Sequence, residues 1–243
     1  MSDFELEVAA LTDAGTERDH NEDACGTHAE ASGCAVLVVA DGVSSSEGGE
    51  TASEMAVEVT LRAYREGPAS TPSGQRLYRA IQQANIEIYD RAMVVPELRG
   101  MSTTLTAAAV DRGQLTAVHV GDSRLYLVRG GEVTQLTKDH TVAAERVRLG
   151  LLGAERARTH PERSTLTRSV GRELIVSRDR LGRMLEQGDV LVLCSDGLHN
   201  VLADAELGEL VRGRSAADAC RALVAAANAL GTPDNVTAAV ARL

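Results

Sequence analysis

Four aspartates stand where apolar runs stop. Asp41 ends "VLVVADG", Asp122 follows "AVHVG", Asp196 follows "VLVLCS", and Asp234 precedes the last apolar run in "GTPDNVTAAV". Aspartate is a poor strand former and is costly to bury. Turn chemistry explains any one of these acids, because Asp-Gly and Pro-Asp-Asn are common turn formers. Together they suggest something else. Carboxylates gathered on rigid strand ends repel unless cations sit among them. Carboxylate, backbone carbonyl and water are the ligands of hard divalent ions such as Mg2+ and Mn2+. Gly42, just after Asp41, lets its own carbonyl turn toward such an ion without side-chain obstruction. Spacing alone does not bring the four acids together, so the turn and metal readings both stand. His20, His28, His119, His140, His160 and His199 show no zinc-type spacing and read as surface or packing residues.

Elements that could position these acids are legible along the chain. Ala52, Met55, Ala56, Val59 and Ala63 form one apolar stripe at helical steps, and Leu77, Ile81, Ala84 and Ile88 form another that ends before Pro96. The Pro/Gly/Ser-rich segment "REGPASTPSGQ" separates the two helices. In "SAADACRALVAAANALG", Ser215 and Asp218 make a capping box and Gly231 a stop, with Ala219, Ala222, Leu223, Ala226 and Leu230 as the expected buried face. "TLTAAAV", "LTAVHV", "LYLVRGGEVTQL", "STLTRSV", "DVLVLCS" and "NVTAAVA" read as short strands. Gly130-Gly131 and "DRGQ" read as hairpin turns. Close hairpins with helices in pairs predict antiparallel sheets covered by helices, not a doubly wound parallel fold.

Composition narrows the partners. The 243 residues suit one domain over 1–243. Aromatics are only 2%, so the core must be built from Ala, Val and Leu. A formal charge of −10 argues against coating DNA or RNA, which needs clustered Lys and Arg. Cys25, Cys34, Cys194 and Cys220 form no CxxC pair and read as free thiols in a reducing compartment. The acidic N-terminus is unlike a signal peptide, and no apolar stretch approaches the roughly 20 residues that cross a bilayer, so a cytoplasmic location without membrane contact is expected.

The ordered set "TERDHNEDA", "VVADGV", "GMSTTL", "VGDSR", "CSDGL" and "DNVT" closely resembles the metal-dependent protein phosphatases (the PPM or type 2C family) in their compact bacterial form. The resemblance runs from about Leu11 to Val240. It implies an α+β fold, a four-layer αββα sandwich with two central antiparallel sheets flanked by helix pairs. It also implies a monomeric phosphoserine/phosphothreonine phosphatase with two Mn2+ or Mg2+ ions and a weaker third. Phosphorylated proteins, a Ser/Thr protein kinase among them, are the implied partners. Residue by residue, Asp41 matches the carboxylate bridging both ions, and Gly42 offers one of them its carbonyl. Asp196 and Asp234 match the remaining ligands of the other ion, and Asp122 the ligand of a third ion shared with Asp196. Glu22 and Asp23 match the acidic pair that holds metal-bound waters or a metal, and Arg18 the arginine that grips the substrate phosphate. The catalytic set so implied is Arg18, Asp41 and Asp196, with a hydroxide held between the ions as the nucleophile.

The chain departs from the family at Ser44, Ser45 and Ser102, which replace glycines. Val43 stands where animal members carry a His. The segment 139–163, "DHTVAAERVRLGLLGAERARTHPER", corresponds to the flap of the bacterial members and is rich in arginine. It reads either as a solvated helical surface or as a lid over the phosphoprotein. Two other functions compete with this one. A phosphoprotein-binding module without turnover would be favoured by a missing ligand, and none is missing. An aspartyl nucleophile would need a second Asp where Val43 stands.

Overall fold

Every residue from Cys34 to Ala40 is buried, which a strand achieves only when both its faces are covered. The structure is a computed structural model that describes residues 6–30, 33–43 and 48–243, so Ser44 and Ser45 lie outside the described residues. In chain order the first elements are β1 (Glu7–Asp13), β2 (Asp23–Glu30), β3 (Cys34–Asp41), α1 (Gly49–Glu66) and α2 (Ser73–Val94). Then come β4 (Leu105–Asp111), β5 (Gln114–Val120), β6 (Arg124–Arg129), β7 (Glu132–Gln135), α3 (Val142–Arg148) and α4 (Ala154–Ala157). The chain finishes with β8 (Asp179–Met184), β9 (Val190–Cys194), α5 (Asp196–His199), α6 (Asp204–Val211), α7 (Ala216–Ala229) and β10 (Val236–Arg242).

The strands form two five-stranded antiparallel sheets, ordered β1-β10-β9-β6-β7 and β2-β3-β4-β5-β8. Alternation along β3 explains its burial. Val36, Val38 and Ala40 pack against α1 and α2, alongside Ala56, Leu77 and Ile81. Leu37 and Val39 face the other way, into a layer shared with Leu125, Leu191, Leu193 and Ala239 of the opposite sheet. On that sheet's outer side, Val192 and Val240 pack with Leu207 of α6 and Leu223 of α7. The result is the expected four-layer αββα sandwich. Each fully buried Leu or Val in it contributes about 1.5–3 kcal/mol.

Both hairpins form, with Arg129 opposite Glu132 and Asp111 opposite Gln114 across two-residue turns. Ser215 caps α7 by accepting from the Asp218 amide at 3.1 Å. The buried stripe of α7 is rotated from the expected one: Cys220, Val224 and Ala227 are buried beside Ala219 and Leu223, and Leu230 is 55% exposed because it lies beyond the last helical turn. "STLTRSV" is not a strand. It makes only isolated bridges at Leu166 and Val170, because Arg168 interrupts the face those two would share and bonds Asp179 at 2.9 Å instead. The edge of the sheet beside β5 is formed by β8, whose side chains are mostly exposed and show no apolar alternation. All four cysteines are free, as expected. Among the described residues, no helix is long and apolar enough to cross a membrane.

The inter-sheet layer changes character along its length. Beyond Ala108 and Ala117 it continues as Thr106 and His119, both fully buried. The His119 ring reaches Thr106 Oγ1 at 2.8 Å and the Lys138 carbonyl at 3.1 Å, and it lies 4.7 Å from the His140 ring. Burial, reinforced by His140, pushes the His119 imidazole down to about 4 despite the nearby Asp139 and Asp179. A histidine depressed in the fold stabilises it fully above the unfolded value near 6.5 and loses that contribution as pH falls toward 4. The loss should be on the order of 3 kcal/mol. Other buried groups titrate in the same range, so the contribution is read by difference: in denaturant unfolding between pH 7 and 4.5, the wild type should lose more stability, or gain less, than His119→Gln. An unchanged slope in the variant would place the pH dependence elsewhere.

Candidate metal centre

The same end of the sandwich carries the acids. Leu37, Val39 and Asp41 lie on one face of β3, so the carboxylate of Asp41 closes the inter-sheet layer that the leucine and valine fill. Asp23 is directly opposite Asp41 in the ladder between β2 and β3. From the other sheet, Thr237 of β10 crosses the gap and donates its hydroxyl to Asp23 Oδ2 at 2.7 Å. Asp122 sits in the turn between β5 and β6 and is buried, and Asp196 opens α5 just past β9. With Asp234, just before β10, five acids from both sheets therefore act on one another.

Electrostatics records that proximity. Burial drives the Asp41 carboxyl well above its ordinary value, and the charges of Asp23, Asp196, Asp122 and Asp234 raise it further. Asp122 is raised well above normal by burial and then by Asp196 and Asp139. Burial lifts Asp23 to about 7 against the downward pull of Ser195 and Thr237, and lifts Asp196 to about 6 with help from Asp234. Such a set is held at a cost unless positive charge joins it.

Arg18 supplies some of that charge. Its Nη2 donates to Asp234 Oδ2 at 3.1 Å and its Nε to the Pro233 carbonyl at 3.2 Å. Arg18, Asp41, Gly42, Asp122, Asp196 and Asp234 all border one cleft of about 460 Å3. Glu22 is placed differently: its carboxylate lies against Gly49 at the start of α1, where a Cβ on Gly49 would come within 2.8 Å of Oε1. Its backbone is fixed at both ends, the amide donating to Asn235 Oδ1 at 2.8 Å and the carbonyl accepting from the Gly42 amide at 2.9 Å. Ser102 is buried at the cleft wall, where its carbonyl accepts from the Val43 amide at 3.0 Å.

The donor set suits a hard divalent cation in kind, being carboxylates on rigid strand ends. Among the described residues, no three His, Cys, Asp or Glu side chains are drawn into a ready ligand set. Asp234 is turned onto Arg18, Asp23 onto Thr237, and Asp196 accepts from Asn200 Nδ2 at 3.1 Å. Each of these three carboxylates thus satisfies itself on a neighbour.

Several supporting residues gave no signal in the sequence. Thr104 donates or accepts at Ser123 Oγ (2.7 Å), and its hydroxyl accepts from the Asp41 amide at 2.9 Å. Asn235 Nδ2 donates to the carbonyls of Ala14 and His20, both at 2.9 Å, tying down the segment that carries Arg18. Arg172 also lines the cleft. Polar residues continuing the inward face of an apolar strand, such as Thr104 and Thr237, were the available clue.

The two Asp-Gly pairs have a reason beyond carbonyl exposure. A Cβ on Gly42 would fall 2.4 Å from the backbone of Gly49, and one on Gly197 would fall 2.0 Å from the Asn235 carbonyl. Glycine is what lets the backbones behind Asp41 and Asp196 approach so closely.

Comparison with known proteins bears on the chain as a whole. The family model described as Protein phosphatase 2C matches residues 15–231. The chain is 36% identical over 230 residues to the serine/threonine phosphatase Stp of Listeria innocua, covering 93% of this chain and 91% of that protein. It superposes on serine/threonine phosphatase Stp1 of Staphylococcus aureus with a TM-score of 0.91 at 31% identity, covering 98% and 95% of the two chains. It also superposes on the catalytic domain of the phosphatase PstP in complex with two manganese ions, with a TM-score of 0.85 at 33% identity, covering 98% and 97%.

Gly197→Ala should separate Asp196 from Asp234 without touching either carboxylate. Calorimetric titration with Mn2+ should show affinity reduced roughly 10–100-fold, the range for losing a group that orients a ligand. Wild-type affinity in the variant would mean that the close approach at Asn235 has no bearing on the ions.

Proposed function

From the premise that the chain belongs to the protein phosphatase 2C family, a family of metal-dependent protein serine/threonine phosphatases, we propose that it removes phosphate from phosphoserine and phosphothreonine in proteins at the cleft bordered by Arg18, Asp41, Asp122, Asp196 and Asp234. Protein kinases of the Ser/Thr class are included among its substrates, so that it reverses their work. One observation carries the reading: acids from both sheets meet at one end of the sandwich, in a cleft that also holds an arginine.

Two divalent ions would be held by Asp41 and the Gly42 carbonyl together with Asp196 and Asp234. Glu22 and Asp23 would hold metal-bound waters or a metal directly, and Asp122 with Asp196 would offer a third, weaker position. When bound, the ions supply the positive charge that makes a water acidic enough to attack phosphorus near neutral pH. The remaining work belongs to the chain. Arg18 and Asp234 neutralise each other as an ion pair at 3.1 Å, with their side chains 40% and 35% exposed. Were Asp234 drawn to an ion, the Arg18 guanidinium would be left to a phosphate, whose oxygens its planar fork matches. It then holds the phosphoryl group in line and offsets the charge spread over its oxygens. The hydroxyls of Thr237 and Thr104 keep Asp23 and Asp41 in place.

Two measurements test this. Purified protein should release phosphate from a phosphothreonine peptide only with Mn2+ or Mg2+, and Asp196→Asn should lower kcat/KM by at least the 10–100-fold expected for an outer-shell partner. Full turnover in excess chelator would end the proposal. Arg18→Ala should lower turnover on the order of 10²-fold while Mn2+ affinity, read by calorimetry, stays within a few-fold. Equal loss of both would make Arg18 a support for the ions and not a phosphate contact.

A further inference from the structure

A larger groove of about 870 Å3 lies between the flap segment and the core, and it shares Asp122, Ser164 and Asp196 with the metal cleft. Its basic residues fall into two groups. Arg124 is held by Asp139 through bonds of 3.0 and 2.7 Å, Arg148 by Glu145 at 2.8 Å, and Arg168 by Asp179 at 2.9 Å. Those pairs engage every acid that lines the groove except Asp122 and Asp196, which belong to the ion cluster. Lys138, Arg158 and Arg163 line the same groove, are exposed, and have no acidic partner within ion-pair distance among the described residues. Arg163 lines the groove next to Ser164, which borders both groove and cleft, so the free positive charge begins at the cleft itself. Ala144, Val147 and Ala157 line the groove with small apolar side chains that leave room for a peptide main chain.

We propose that this groove receives the stretch of phosphoprotein on one side of the phosphorylated residue, and that this stretch is acidic, with carboxylate side chains facing Lys138, Arg158 and Arg163. The inference rests on the phosphatase reading above and adds the class of substrate sequence to it. Charge complementarity is its basis. The whole chain carries −10, so an acidic peptide is repelled by most of the surface and is drawn in only where unpaired cations outnumber acids.

The test uses the Mn2+-loaded protein and phosphothreonine peptides that carry glutamates before the phosphoresidue, after it, or glutamines in both places. Glutamates on one flank only should raise kcat/KM roughly five- to tenfold over the neutral peptide, mainly through KM, as a few partly exposed charge pairs allow. The gain should shrink at high ionic strength. In the double variant Lys138→Ala/Arg158→Ala, the ratio of acidic to neutral peptide should fall toward one. Equal rates on all three peptides in the wild type, or an unchanged ratio in the variant, would overturn the inference and leave the phosphatase reading intact. No phosphate release from any peptide would overturn both.

Discussion

Like charges buried together are the constraint around which this molecule is arranged. Asp41 experiences Asp23, Asp122, Asp196 and Asp234 at once, in a place where burial already opposes ionisation. A flexible surface would relax such a cluster by letting the side chains drift apart. Here they are mounted on strand ends whose inward faces are packed with Leu37, Val39, Leu191 and Leu193, and a packed core does not deform continuously. The repulsion is met locally instead, by Thr237 at Asp23, Asn200 at Asp196 and Arg18 at Asp234. The sandwich holds the acids together, and these neighbours make the fold tolerable before any cation contributes.

Hydroxyl groups make the transition from hydrocarbon to carboxylate possible. Thr104, Thr106, Ser123 and Thr237 continue the inward faces that Ala and Leu occupy further along. Each is small enough for the inter-sheet space and has a bonded partner, so none of these four hydroxyls is buried unsatisfied. On β3 the inward face goes from Leu37 and Val39 straight to Asp41, so the hydroxyls beside that acid come from neighbouring segments, Thr104 bonding its amide and Thr237 bonding Asp23 opposite it. Thr237 is also the direct bridge between the sheets, which couples the separation of the sheets to the position of Asp23.

The sequence disclosed the chemistry of the site better than its support. Asp41 and Asp196 are visible because an acid ending an apolar run conflicts with strand propensity, and such conflicts mark functional positions. That Asp41 and Asp234 meet could not be read from their spacing, since it depends on two sheets packing face to face. Gly42 was credited with freeing a carbonyl, whereas the close backbone contact at Gly49 is a tertiary fact with no local trace. β8 was missed because an edge strand with exposed side chains is held by backbone bonds to β5 and needs no apolar pattern. "STLTRSV" misled for the opposite reason: it has strand-like residue types, but Arg168 uses its side chain elsewhere.

Net charge was the least informative of the global numbers once the site was in view. A value of −10 correctly disfavours a nucleic-acid coat, because that requires cations spread over a surface. It does not describe the potential inside a groove, which depends on which charges remain unpaired there. Arg124 and Lys138 line the same wall, yet the first is neutralised bidentately by Asp139 and the second contributes its full charge to whatever enters. The arginine-rich flap could be read from the sequence as solvated surface or as lid, and counting its arginines could not choose. Sorting them by partner shows which charges are already spent: Arg146 and Arg148 are tied to Glu162 and Glu145, so any recognition by the segment would rest on the few cations its own acids leave free.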